Sequence, residues 1–255
     1  MVIGLDLFTQ HFIEYTDHYI LIGGSACDVQ MATRNAEFRA TKDLDIILVV
    51  EALSPAFVNH FWDFIKDGEY TIAEVGNKKR FYRFIKPQVA GYPVRIELFS
   101  RHPETLPDPP ADMHITDIPT EEEASSLSAI LLDETYYGFA IDNCDIIDGL
   151  RLANDRCLVC LKTRAFLNNR ERKANGAEIH DVDIYKHRRD VLQLMGVIDP
   201  TTVISVPESI QTDLENFIVY IGEEPDTIAQ ILKDIELDTN PEEIIQLMRN
   251  IFSLA

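Results

Sequence analysis

The stretch that decides the fold is GGSACDVQMATRNAEFRATKDLDIILVV, residues 23–50. Its last eight residues, DLDIILVV (43–50), form a β-branched run of strand length. Successive side chains of a strand leave opposite faces. Asp43 and Asp45 therefore share one face, while Leu44, Ile46 and Leu48 share the other, which suits a core. Two neighbouring carboxylates repel, and a hard divalent cation with oxygen ligands relieves that repulsion. Upstream, the apolar strand YILI (19–22) runs into Gly23-Gly24-Ser25, after which residues 26–33 are compatible with a helix. Such a turn lets backbone N–H groups approach a phosphate, and the helix N-terminus favours its charge. Taken singly, Gly-Gly reads as a tight turn and Asp-x-Asp as a strand end facing solvent. Their joint order is far more specific.

Downstream, Ser54-Pro55 opens an aromatic-rich helix toward Lys66, with Ser at the cap and Pro in the first turn. Residues 80–86 and 94–99 read as two strands. In the second, Val94, Ile96 and Leu98 alternate with Arg95 and Glu97, so Glu97 is a third acid on a strand's polar face. On a strand beside Asp43 and Asp45, it would complete a two-metal site that activates an attacking oxygen and neutralises a leaving phosphate. Residues 129–132 and 150–153 are weaker strand candidates, and 101–125, rich in Pro, Asp and Glu, reads as a loop. From Asn154 the pattern turns helical: CLVCLKTRAFLNNRERK behind an Asn154 or Asp155 cap, then residues 181–194. Leu214, Phe217, Ile218 and Ile221, and later Ile244, Leu247, Met248 and Ile251, keep the spacing of a buried helix face. The expectation is an α/β (α+β) domain over residues 1–153 and an all-helical domain over 154–255.

The 255 residues, 46% hydrophobic and 26% charged, describe an ordinary globular chain with core enough to need no staples. Forty-three acidic against 23 basic residues give a net charge of −20, which argues against coating nucleic acid or anionic membrane with the whole surface. Four cysteines are too few for a disulfide framework, so a reducing cytoplasm is expected. Acids and no early Lys or Arg in the first twenty residues read as no signal peptide, and no apolar run approaches a membrane span.

The order GGS…RATKDLDI…RIELFS resembles the DNA polymerase β-like nucleotidyltransferase superfamily, and within it the AbiEii/AbiGii-type toxin nucleotidyltransferases of bacteria and archaea. The resemblance covers residues 19–194. It implies a mixed sheet flanked by helices and places the triphosphate on Gly23, Gly24 and Ser25. It also places two magnesium ions on Asp43, Asp45 and Glu97, with Glu97 orienting or deprotonating the acceptor hydroxyl. Those families carry further basic motifs, matched here by Lys162 and Arg170 and by Lys186 and Asp190, the last two sharing one helix face. The resemblance assigns nucleotide binding to Lys162, Lys186 and Asp190. It further implies an NTP substrate, an RNA acceptor such as the tRNA acceptor end, and a separate antitoxin; an antibiotic or protein acceptor stays open. Two departures stand out: the eighteen residues between Gly24 and Asp43 exceed the usual gap, and NGAEIH spaces the basic motifs further apart.

Positive charge is local. Residues 162–189 hold eight Lys or Arg against four Asp or Glu, and NKKRFYRFIK (77–86) holds five basic residues and no acid. The latter suits either phosphates and stacked bases or a solvated strand edge. Cys157-x-x-Cys160 lacks a second ligand pair and reads as core. His180-Asp181 resembles the metal pair of HD-type phosphohydrolases, yet without further ligands it reads as a helix start. Two other readings remain: a non-catalytic nucleotide- or partner-binding module on the same fold, and the HD-like phosphohydrolase.

Overall fold

A wholly buried strand, β1 (Tyr19–Ile22), lies among eight strands of one mixed sheet. The others are β2 (Asp43–Leu48), β3 (Thr71–Val75), β4 (Phe81–Ile85), β5 (Arg95–Phe99), β6 (Ile115–Ile118), β7 (Cys144–Ile147) and β8 (Leu150–Ala153), in the order β6-β3-β4-β5-β2-β1-β8-β7. Pairs β2–β5, β1–β8 and β3–β6 are parallel and the rest antiparallel. The computed structural model describes residues 2–75, 81–99, 115–118 and 133–254. The chain divides into two compact units, Met1–Thr33 with Glu37–Asn154, and Arg34–Ala36 with Asp155–Ala255.

The first unit holds the sheet and, among the described residues, the helices α1 (Leu5–Phe12), α2 (Gly23–Ala32), α3 (Pro55–Asp67) and α4 (Glu134–Asp142). Register assigns the faces. Tyr19 opposes Leu48 and Leu21 opposes Ile46, whereas Ile22 opposes Asp45, so one face of β1–β2 is apolar and the other carries the acids. The apolar face meets aromatic rings: Phe8 of α1 lies edge-on to Tyr19 at 5.3 Å and to Phe64 of α3 at 5.8 Å. Phe61 and Trp62 of α3 meet Phe84 of β4 at 5.5 and 5.8 Å. Burying each such ring contributes about 1.5–3 kcal/mol, and edge-on pairing adds to it. Helix α3 begins as its sequence dictates, with the Ser54 hydroxyl accepting from the Phe57 N–H at 3.2 Å and Pro55 in the first turn.

The second unit is helical: α5 (Asp155–Ala174), α6 (Asp181–Met195), α7 (Glu208–Glu223), α8 (Pro225–Asp234) and α9 (Pro241–Ile251). Phe166 of α5 packs edge-to-face on Phe217 of α7 at 5.4 Å. Leu214, Phe217, Ile218 and Ile221 are all buried, as are Ile244, Met248 and Ile251, with Leu247 half-buried. Asn240 caps α9 by accepting from the Glu243 N–H at 3.0 Å. Among the described residues no helix is long and apolar enough to cross a membrane.

The mixed α/β sheet with a helical C-terminal part matches the expectation; several elements differ. Helix α2 starts at Gly23 rather than at residue 26, and β2 stops at Leu48, where residues 50–52 coil into a 3₁₀ turn. The expected loop over 101–125 contains strand β6, which pairs in parallel with β3; the rest of it lies outside the described residues. The strand expected over 129–132 also lies outside them. Helices α1, α4 and α8 and strands β3 and β7 were not foreseen. Each is ten residues or shorter, too little for periodicity to stand out.

Candidate active site

Strand pairing assembles the acids. In the parallel β2–β5 pair, Asp43 stands beside Arg95 and Asp45 beside Glu97, while in the antiparallel β4–β5 pair Glu97 stands opposite Arg83. Directly paired residues share a face, so three carboxylates and two guanidinium groups form one polar patch over β4, β5 and β2. The patch borders α2. A Cβ on Gly23 would lie 1.8 Å from Asp45 Oδ2, so only glycine lets the backbone come this close to the carboxylate. Gly23 also has φ +71°, where a side chain is strained. A Cβ on Gly24 would lie 2.7 Å from the Thr41 hydroxyl, and the Ser25 hydroxyl donates to the Asp43 carbonyl. The residue before α2 is Ile22, so no side chain caps its first turn. Gly23, Gly24, Ser25, Asp43, Asp45 and Glu97 are thus together.

Their environments differ. The Asp43 side chain is 39% exposed and meets Arg95 at 3.4 Å. Glu97 is buried and forms an ion pair with the buried Arg83 at 2.8 Å, with Arg95 at 3.8 Å. Burial pushes the Glu97 carboxyl above its ordinary value, Arg83 and then Arg95 pull it back, and Asp43 adds to the rise.

The resemblance calls for magnesium, and the donor chemistry fits it at Asp43 and Asp45, two carboxylates on one strand face against a glycine cradle. Arg83 and Arg95 both approach Glu97 at its Oε1. Among the described residues no three His, Cys, Asp or Glu side chains form a ready-made metal group.

Lys162, Lys186 and Asp190 lie in the helical unit. Lys162 of α5 is buried and its ammonium meets the fully buried Asp190 of α6 at 3.0 Å. Lys186 turns to Asp183 at 2.8 Å instead of Asp190, four residues on, because Asp190 faces the interior and Lys186 is 37% exposed. The positive stretch is largely engaged: Arg164 with Asp213 at 3.2 Å, Lys173 with Asp181 at 2.7 Å, Arg170 and Arg188 over Tyr220. Asp181, half of the HD-like pair, therefore serves as an ion-pair partner in the first turn of α6. Cys157 and Cys160 are buried, and burial pushes the Cys160 thiol well up. In NKKRFYRFIK, Arg83 points at Glu97, while residues 77–80 lie outside the described residues.

Arg83 and Arg95 join the patch although neither is a site candidate by sequence. Alternation in β5 puts Arg95 on the face of Glu97, and that signal was present; the pairing that brings Arg83 to Glu97 is not written in either strand. No family model matches the chain, and neither does any curated protein or solved structure.

Proposed function

We propose that this chain is a magnesium-dependent nucleotidyltransferase that moves a nucleoside monophosphate from an NTP to an acceptor hydroxyl. The observation that carries the reading is the approach of Gly23 to the Asp45 carboxylate, which joins the start of α2 to the acids of β2. A phosphate at the first turn of α2 would meet backbone N–H groups and the positive end of the helix, directly beside Asp43 and Asp45.

Asp43 and Asp45 would hold the divalent cation. When bound, that ion supplies Lewis-acid polarisation of the α-phosphate and neutralises charge on the departing pyrophosphate. The chain does the rest by position. Gly23 and Gly24 let the backbone close on the phosphates, and the Ser25 hydroxyl pins the strand end at the Asp43 carbonyl. Phosphoryl transfer needs little beyond alignment and charge neutralisation, and a preorganised site supplies both. The resemblance further supports an RNA acceptor, the tRNA acceptor end among them, a cytoplasmic setting and a cognate antitoxin.

The test is to incubate the full chain with magnesium, each labelled NTP in turn and total RNA. Label is expected on RNA and is expected to vanish in Asp43→Asn and Asp45→Asn. Label on protein alone would remove the RNA acceptor and keep the chemistry. Nucleotide and metal binding unchanged in the double variant would sink the proposal.

A further inference from the structure

The basic residues of the helical unit fall into two groups. Lys162, Arg164, Lys173 and Lys186 each meet a carboxylate. Arg170, Arg188 and Arg189 have no carboxylate partner among the described residues. Two of these three lie against aromatic rings instead. The Arg170 guanidinium of α5 lies 4.6 Å from the centre of the Tyr220 ring and 5.4 Å from that of Phe166. The Arg188 guanidinium of α6 lies 4.4 Å from the centre of the Tyr185 ring and 5.8 Å from that of Tyr220. Its Nη1 also donates to the Tyr220 hydroxyl. Two guanidinium groups therefore converge on one tyrosine of α7.

Each ring attracts a guanidinium, but the two like charges repel and no acid pairs with either. In a chain of net charge −20, positive charge gathered without a matching acid stands out, and an anion supplies the missing partner. The rings also hold the two side chains in place, so less freedom is lost when a phosphate docks on them. On α6, Tyr185 lies three residues before Arg188 and four before Arg189, so the three share one helix face. Tyr185 is 40% exposed, which puts an aromatic ring at the surface beside the cations. Guanidinium groups interleaved with a reachable ring suit a strand whose phosphates meet the cations and whose unpaired bases stack on the ring. An acidic peptide would match the charges and leave the ring unused, and a duplex hides its base faces.

We propose that this face of α5, α6 and α7 binds a single-stranded polynucleotide, with Arg170, Arg188 and Arg189 on its phosphates and Tyr185 stacked on a base. The surface belongs to the helical unit and goes beyond the nucleotide chemistry proposed for the sheet unit. Only the step from bound strand to acceptor rests on that reading.

The experiment follows the fluorescence anisotropy of a labelled, unstructured RNA of about twelve nucleotides titrated with the full chain, without NTP or magnesium. Wild type is expected to bind with a slope of log affinity against log salt of about −2, three phosphates at about −0.7 each. Arg170→Gln and Arg189→Gln should each weaken binding roughly five-fold at about 0.1 M salt and bring the slope about 0.7 nearer zero. Arg189→Gln decides the point if losing the ring contacts of Arg170 unfolds the chain. Tyr185→Ala should weaken binding roughly five- to a hundred-fold with the slope unchanged, and Tyr185→Phe should restore it. Lys173→Gln removes a charge already paired with Asp181 and should bind as wild type does. No binding by wild type, or the same loss in Lys173→Gln as in Arg189→Gln, overturns the proposal. Displacement of the RNA by polyglutamate at equal charge, or tighter binding of the same sequence as a duplex, overturns it too. DNA of that sequence binding as tightly as RNA keeps the surface, whose contacts are to phosphates and base faces. With no NTP present, intact RNA binding beside failed transfer counts against the nucleotidyltransferase reading alone.

Discussion

Gly23→Ala is the sharpest single probe of this site, because the added methyl has nowhere to go. Its Cβ would sit 1.8 Å from Asp45 Oδ2, 2.7 Å from Asp45 Cγ and 2.9 Å from Asp45 Cβ. The carboxylate tip can rotate away, but the third contact lies next to the strand backbone, so β2 must shift as well. Two effects add. Holding alanine at φ +71° costs roughly 1–2 kcal/mol, and overpacking a filled contact costs roughly 1–3 kcal/mol more. A destabilisation of about 3 kcal/mol is predicted, which lowers the melting temperature by about 6–12 °C if the first unit melts as one cooperative domain. Because the displaced group is the proposed ligand Asp45, manganese affinity should fall along with stability. Asp45→Ala removes the two nearest of the three contacts, so the double variant should be less destabilised than the sum of the singles. Thermal unfolding and manganese titration of the four proteins measure all of this. A melting temperature within a degree of wild type, or strict additivity, would refute the close approach.

The remaining predictions concern groups away from that turn. Lys162→Met leaves Asp190 charged and buried without its ammonium, and should lose about 3–5 kcal/mol in urea unfolding; Lys162→Met with Asp190→Leu should recover most of it. A single variant that unfolds like wild type would show that the pair contributes little. His11, stacked on His60 at 3.8 Å, has a pKa lowered from 6.5, first by burial. Its folded state resists protonation, so stability is full above pH 6.5 and declines as the pH falls below it; proton NMR of the imidazoles should find His11 titrating below 6.5. Burial pushes Tyr19 from 10.0 up to about 12, so the folded chain keeps this phenol protonated. Its contribution, about 3 kcal/mol, is present below pH 10 and lost as the pH climbs toward 12; a phenolate absorbing with ordinary pKa in Tyr19→Phe-corrected spectra would contradict it. Thiol reagents should reach Cys144 first and leave Cys157 and Cys160 untouched until the chain unfolds.

Several local signals are legible in the sequence. YILI announces a buried strand by its unbroken apolar run and DLDIIL by its alternation, and Ser54-Pro55 announces a helix start through a cap that the structure forms. What stayed hidden depends on partners distant in the chain. Nothing in RIELF says that Glu97 will lie between Asp45 on one neighbour and Arg83 on the other, because register is a property of three strands at once. The same gap separates charge in sequence from charge in space. The excess of Lys and Arg between residues 162 and 189 reads as a grip for anions, yet Lys162, Arg164, Lys173 and Lys186 each have a carboxylate within 3.2 Å. The net positive count is real, but these four charges are already matched inside the helical unit. In the sheet unit the reverse holds: the face that carries Asp43, Asp45 and Glu97 also carries Arg83 and Arg95, and Arg95 is open to solvent. The proposed binding of a polyphosphate therefore looks to Arg95 and the first turn of α2 rather than to the basic helices.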